Sequence, residues 1–98
     1  MSHSILLVDD ERDIREGIER ILKRMGYSVL KASQGNEALG ILENESVDLA
    51  ILDLKMPGMD GIDTLKEIKK MSPNLPVVMI TGDADAVAAD ETAAEIYV

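Results

Sequence analysis

Cysteine, tryptophan and phenylalanine are missing from this 98-residue chain, and its only aromatic residues are Tyr27 and Tyr97. Without cysteine there are no disulfides and no thiol chemistry, which fits a reducing cytoplasm. With so few rings the core must be aliphatic and filled by methionine. No apolar run approaches the ~20 residues that a membrane-spanning helix needs. The start, Met1-Ser2-His3-Ser4, has neither a basic stretch nor a long apolar one, so it does not read as a secretory signal. Basic residues are also scarce: 10 Lys and Arg stand against 19 Asp and Glu, for a net charge of −9. None follows Lys70, whereas Asp83, Asp85, Asp90, Glu91 and Glu95 do. Like charges repel, so nucleic acid and acidic membrane are disfavoured as direct partners. A divalent cation or a basic protein surface is accommodated more easily.

What is present reads as one domain over residues 1–98, a length at which roughly two thirds of the unfolded surface is buried. Short apolar runs without polar alternation mark buried strands at residues 4–9, 28–32, 47–53 and 76–81. Between them lie helical patterns. Ile14, Ile18, Ile21, Leu22 and Met25 share one face of the first helix. Its other face offers the i,i+4 pairs Arg15/Glu19, Glu16/Arg20 and Glu19/Lys23. Asp10 is placed to cap this helix and Gly26 to stop it. Gly35-Asn36 opens a second helix with Ala38, Leu39, Ile41 and Leu42 on its apolar side. Asp60 can cap a third, with Ile62, Leu65, Ile68 and Met71 inward, ending before Ser72-Pro73. A further helix is expected over residues 84–94. Residues 95–98 then form either a stub of a fifth strand or the end of that helix. Strands alternating with three-turn helices imply βαβ crossovers and a parallel sheet, hence an α/β fold. In the flavodoxin-like strand order 2-1-3-4-5 the first and third strands are neighbours at the topological switch point.

Those two strands are the ones that end in acid. The first runs into Asp9-Asp10, and the third into Asp53 ahead of a Pro/Gly loop. Three carboxylates brought together repel. They either raise a pKa or hold a hard divalent cation, and Mg²⁺ takes one or two carboxylates plus waters and phosphate oxygens. Mg²⁺ beside a free carboxylate suits phosphoryl transfer, with the carboxylate as acceptor and an aspartyl phosphate as product. Thr81 ends the fourth strand, where its hydroxyl can donate to a phosphate oxygen, and Gly82 lets the backbone approach closely.

Val8-Asp9-Asp10-Glu11, Asp53-Leu54-Lys55-Met56-Pro57-Gly58-Met59-Asp60-Gly61 and Met79-Ile80-Thr81-Gly82 resemble, in order and spacing, the receiver domain of two-component response regulators. The resemblance covers residues 4–82. It implies that Asp53 accepts a phosphoryl group from a sensor histidine kinase or a phosphotransfer protein. It also implies that Asp10 binds Mg²⁺ directly, that Asp9 does so partly through water, and that the backbone carbonyl of Lys55 is the next ligand. Thr81 is then the switch hydroxyl, Tyr97 a candidate aromatic switch residue, and an output domain would lie outside this chain. As a signalling switch, the chain would be no enzyme beyond self-phosphorylation from a phosphodonor.

The resemblance also implies a Lys-Pro after the fifth strand and then a fifth helix. The chain stops at Val98, so it is read as truncated at its C-terminus, with the fifth strand short or absent and the fifth helix missing. Lys55 is the nearest cation in sequence that can stand in for the family lysine. Losing the helix leaves part of one sheet face uncovered. An unpaired fourth strand would add an open apolar edge, so self-association through that face or edge is expected. The alternative function is accordingly a partner-binding or self-associating module with impaired phosphorylation. A haloacid-dehalogenase-like phosphatase would place a second aspartate two residues after the first, where this chain has Lys55.

Overall fold

A computed structural model describes residues 3–53, 61–80 and 95–97 of the chain, the last three and Gly61 and Ile62 by their backbone alone. The elements alternate as β1 (Ser4–Val8), α1 (Arg12–Arg24), β2 (Ser28–Ala32), α2 (Gly35–Asn44), β3 (Leu49–Asp53), α3 (Gly61–Met71), β4 (Val77–Ile80) and β5 (Glu95–Tyr97). All strand pairs are parallel, in the order β2-β1-β3-β4-β5. This is the α/β parallel sheet that the alternating pattern predicts, in the flavodoxin-like order.

Side chains alternate between the two faces of a strand, and the register sorts them. Leu6 lies level with Leu30 and Ala50, Val8 with Ala32 and Leu52, and Val77 and Met79 continue that face on β4. Leu6, Val8, Ala32, Ala50, Leu52, Val77 and Met79 are all buried. They form one cluster with Ala38 of α2 and with Leu65 and Ile68 of α3.

The opposite face is covered unevenly. Ile5 and Leu7 at its centre are buried, Ile51 and Val78 are half-buried, and Ile80 is exposed. The α1 helix packs on β1 and β2 on this side. Its apolar stripe forms as the periodicity predicts, but no residue of α1 is fully buried. Ile14, Ile21 and Met25 are 47%, 56% and 65% exposed. The period shows which side of a helix is apolar and leaves open how much of it is covered.

Several boundaries differ from the sequence reading. β1 ends at Val8 and β3 starts at Leu49; just before it, Asp48 bonds Ser4 twice, its N–H donating to the Ser4 carbonyl and its carboxylate accepting the Ser4 N–H, each at 2.8 Å. The α1 helix is capped at Glu11 and not at Asp10, with no side-chain bond at the cap. Gly26 does close that helix, at φ 99°, in the left-handed region open to glycine. Residues 95–97 are strand rather than helix. Glu95, Ile96 and Tyr97 lie beside Val78, Met79 and Ile80. The open edge along β4, expected only if residues 95–98 did not pair, does not arise at Val78, Met79 and Ile80, whose backbone groups have a neighbouring strand. The loop with Lys55 and Asp60, the end of the fourth strand at Thr81, and the helix expected over 84–94 lie outside the described residues. Among the described residues, no helix is long and apolar enough to cross a membrane.

Candidate functional site

The register that builds the core also builds the site. Leu7 lies beside Ile51 and Val8 beside Leu52. The next residue of β1's line on Leu7's face is Asp9, and the corresponding residue of β3 is Asp53. Parallel neighbours stand about 4.8 Å apart, so both carboxylates leave the sheet at its C-terminal edge side by side. Asp10, one residue beyond Asp9, joins them. One oxygen from each of Asp9, Asp10 and Asp53 lies within 4.8 Å of the others. Asp9 is buried, while Asp10 and Asp53 are half-buried.

Asp9 is held on several sides. Its N–H donates to the Ala32 carbonyl at 3.1 Å, which extends the β1–β2 ladder past the end of the strand. Its Oδ1 accepts the Glu11 N–H at 2.9 Å, and its carbonyl accepts Nη1 of Arg15 at 2.8 Å. Burial raises the Asp9 carboxyl above the ordinary aspartate range, and the Glu11 amide opposes this by favouring the ionised form. The charges of Asp53 and Asp10 and a hydrogen-bonding contact with Asp53 push it further up. The Asp9 carboxyl thus resists ionisation beside its two acidic neighbours.

A cation resolves that conflict. Oδ1 of Asp10 is buried and has no hydrogen-bond partner. An unpartnered buried carboxylate oxygen is costly, and a bound cation would satisfy it. An all-oxygen, acidic donor set with no sulfur or imidazole is the chemistry of hard Mg²⁺ or Ca²⁺ and not of a thiophilic metal. The residues fit such an ion.

The structure brings together the three aspartates singled out from the sequence. Lys55 and Thr81 fall outside the described residues. Tyr97 is in β5, level with Ile80. Arg15 has a role at the site that the charge pattern misassigns. Expected beside Glu19, it reaches back over the start of α1 to the Asp9 carbonyl, while Glu19 pairs with Lys23 and Lys31, each at 3.0 Å.

Comparison with known proteins identifies the family. The family model described as the response regulator receiver domain matches residues 5–97. The uncharacterized transcriptional regulatory protein YrkP of Bacillus subtilis is 46% identical over 81 residues, which are 83% of this chain and 34% of YrkP. The chain thus spans about a third of the length of that relative. Sporulation initiation phosphotransferase F of the same organism is 39% identical over 89 residues, covering 89% of this chain and 72% of that protein. Among solved structures, the response regulator TrrA of Thermotoga maritima in complex with Mg²⁺-BeF superposes with a TM-score of 0.87 at 36% identity, over 98% of this chain and 84% of that one. The chain belongs to the response regulator receiver family.

Proposed function

We propose that this chain is the phosphoacceptor switch of a two-component phosphorelay, with Asp53 as the acceptor. The observation that carries the proposal is the convergence of Asp9, Asp10 and Asp53 within 4.8 Å at the C-terminal edge of two adjacent parallel strands. A carboxylate oxygen of Asp53 attacks the phosphorus of a phosphohistidine on a sensor kinase or phosphotransfer protein. The P–N bond breaks, the imidazole nitrogen leaves with the electron pair and takes up a proton, and Asp53 becomes an aspartyl phosphate. Asp10, Asp53 and the Lys55 carbonyl, with Asp9 partly through water, would hold Mg²⁺, which would neutralise charge at the phosphoryl oxygens. Asp9 and Asp10 keep the site acidic until that ion arrives, so an unaccompanied phosphate is repelled. Thr81 is the hydroxyl that turns to the phosphate.

The unit works in the cytoplasm and passes its state to a partner or to an output domain outside this chain. Incubation with acetyl phosphate and Mg²⁺ tests the proposal. The expected product is a base-labile mass gain of one phosphoryl group that Asp53→Asn abolishes; turnover of a phosphate ester without such an adduct would replace the switch by a phosphatase.

A binding module is the second reading, and the exposed side of α1 favours it. Ile14, Ile21 and Met25 are exposed there, and Met25 also lines a cleft of ≈ 550 Å³ with Ile5, Leu22, Tyr27 and Leu49, flanked by His3 and Asp48. An apolar patch of this kind is a place for association, with a second copy or with a partner.

A further inference from the structure

We infer that Arg15 is a positioning residue for the acidic site, tying the first turn of α1 to the carbonyl of Asp9 so that Asp9 and Asp10 stay aimed at Asp53; the inference rests on the metal-binding reading above.

The β1–α1 connection is three residues long, Asp9 to Glu11, and two of the three site carboxylates sit on it. Its backbone must leave the sheet and enter a helix within that span. The Asp9 N–H is held by Ala32 of β2, and the Glu11 N–H is held by the Asp9 carboxylate. The Asp9 carbonyl is the remaining main-chain polar group of that residue. Arg15 takes it at 2.8 Å, in a half-buried setting. The Arg15 N–H meanwhile donates to the Glu11 carbonyl at 2.9 Å, closing the first turn of the helix. One residue therefore grips both ends of the connection, Asp9 by its side chain and Glu11 by its backbone.

The grip is geometric. The Arg15 guanidinium meets the main-chain carbonyl of Asp9, 2.8 Å away, and that contact fixes backbone. Freed from the Asp9 carbonyl, the connection can rotate, which carries the Asp10 carboxylate with it. Residues that orient ligands from behind typically change metal affinity by about 10- to 100-fold when removed. Arginine also has a donor fork that lysine lacks, so a lysine at this position should restore part of the effect.

Titrating Mg²⁺ into wild type, Arg15→Met, Arg15→Lys and Arg12→Met by calorimetry tests this. Arg12 is the control, because it sits on the same helix but pairs with exposed Glu16 at 3.1 Å. The expected result is an affinity about tenfold weaker in Arg15→Met, an intermediate value in Arg15→Lys, and no change in Arg12→Met. Amide exchange of metal-free protein gives a second readout, faster at Glu11 in Arg15→Met than in wild type. A wild-type Mg²⁺ affinity and unchanged Glu11 exchange in Arg15→Met would overturn the inference. A wild type that takes up no Mg²⁺ would sink the site reading instead, and Glu11 exchange would then decide the role of Arg15 alone.

Discussion

Asp9 and Asp53 are cross-strand neighbours: β1 and β3 pair Leu7 with Ile51 and Val8 with Leu52, and each strand then delivers one carboxylate to the same edge. Together with Asp10 they crowd three negative groups within 4.8 Å. The arrangement costs stability in the absence of a cation and is useful in its presence, and the first prediction follows from that opposition.

Asp53→Asn removes one charge from the cluster. In metal-free buffer near neutral pH, its melting temperature should exceed that of wild type by a few degrees, because like-charge repulsion in the folded state is relieved. Adding Mg²⁺ should reverse the order, raising wild type by mass action and leaving the variant behind. Calorimetric melts with and without Mg²⁺ check both halves. A variant no more stable than wild type without metal would mean that the carboxylates do not repel as placed.

Glu19 gives a pH dependence away from the site. Hydrogen bonds to Lys23 and then Lys31 hold its carboxyl below the ordinary glutamate value of 4.5. A depressed folded pKa contributes stability that is present above 4.5 and lost as pH falls through the lowered value. Glu19→Gln should therefore melt below wild type at neutral pH, and the gap should close on acidification through that window. Both partners are partly in water, so the gap is small and salt narrows it. A gap that widens in acid would contradict the pairing.

Leu52 precedes Asp53 and is fully buried in the cluster between the sheet and the α2/α3 layer. Leu52→Ala should cost about 3 kcal/mol by urea denaturation, as buried leucine deletions do. Ile21→Ala, on the exposed side of α1, should cost well under half as much. Equal costs would mean that α1 is covered in solution.

The exposed stripe of α1 also predicts behaviour at high concentration. Wild type should show concentration-dependent association by light scattering, and Ile21→Asn combined with Met25→Lys should suppress it. A monodisperse wild type would remove the support for the binding-module reading.

The aspartates were legible from the chain because each ends an unbroken apolar run, and a parallel sheet puts such ends on one edge. The parallel sheet followed from the alternation of strand and helix patterns, and its order from the flavodoxin-like fold that the receiver resemblance implies. Arg15 was not legible in the same way. Its partner is a backbone carbonyl six residues earlier, whereas the charge pattern offers Glu19 four residues later. Asp10 looked like a helix cap for a related reason. Capping residues and metal ligands are the same residue types, and the choice between them depends on where the turn aims the carboxylate. The exposure of α1 was also beyond its own periodicity, since coverage depends on which elements pack against it.

The central claim is that Asp53 is the residue that takes the phosphoryl group. Borohydride reduces an aspartyl phosphate to homoserine and leaves free aspartate alone. After incubation with acetyl phosphate and Mg²⁺, followed by borohydride and peptide mapping, homoserine is predicted at position 53, with none when Mg²⁺ is chelated. Homoserine at Asp9 or Asp10, or at no position while the protein remains folded and Mg²⁺-bound, would contradict the account.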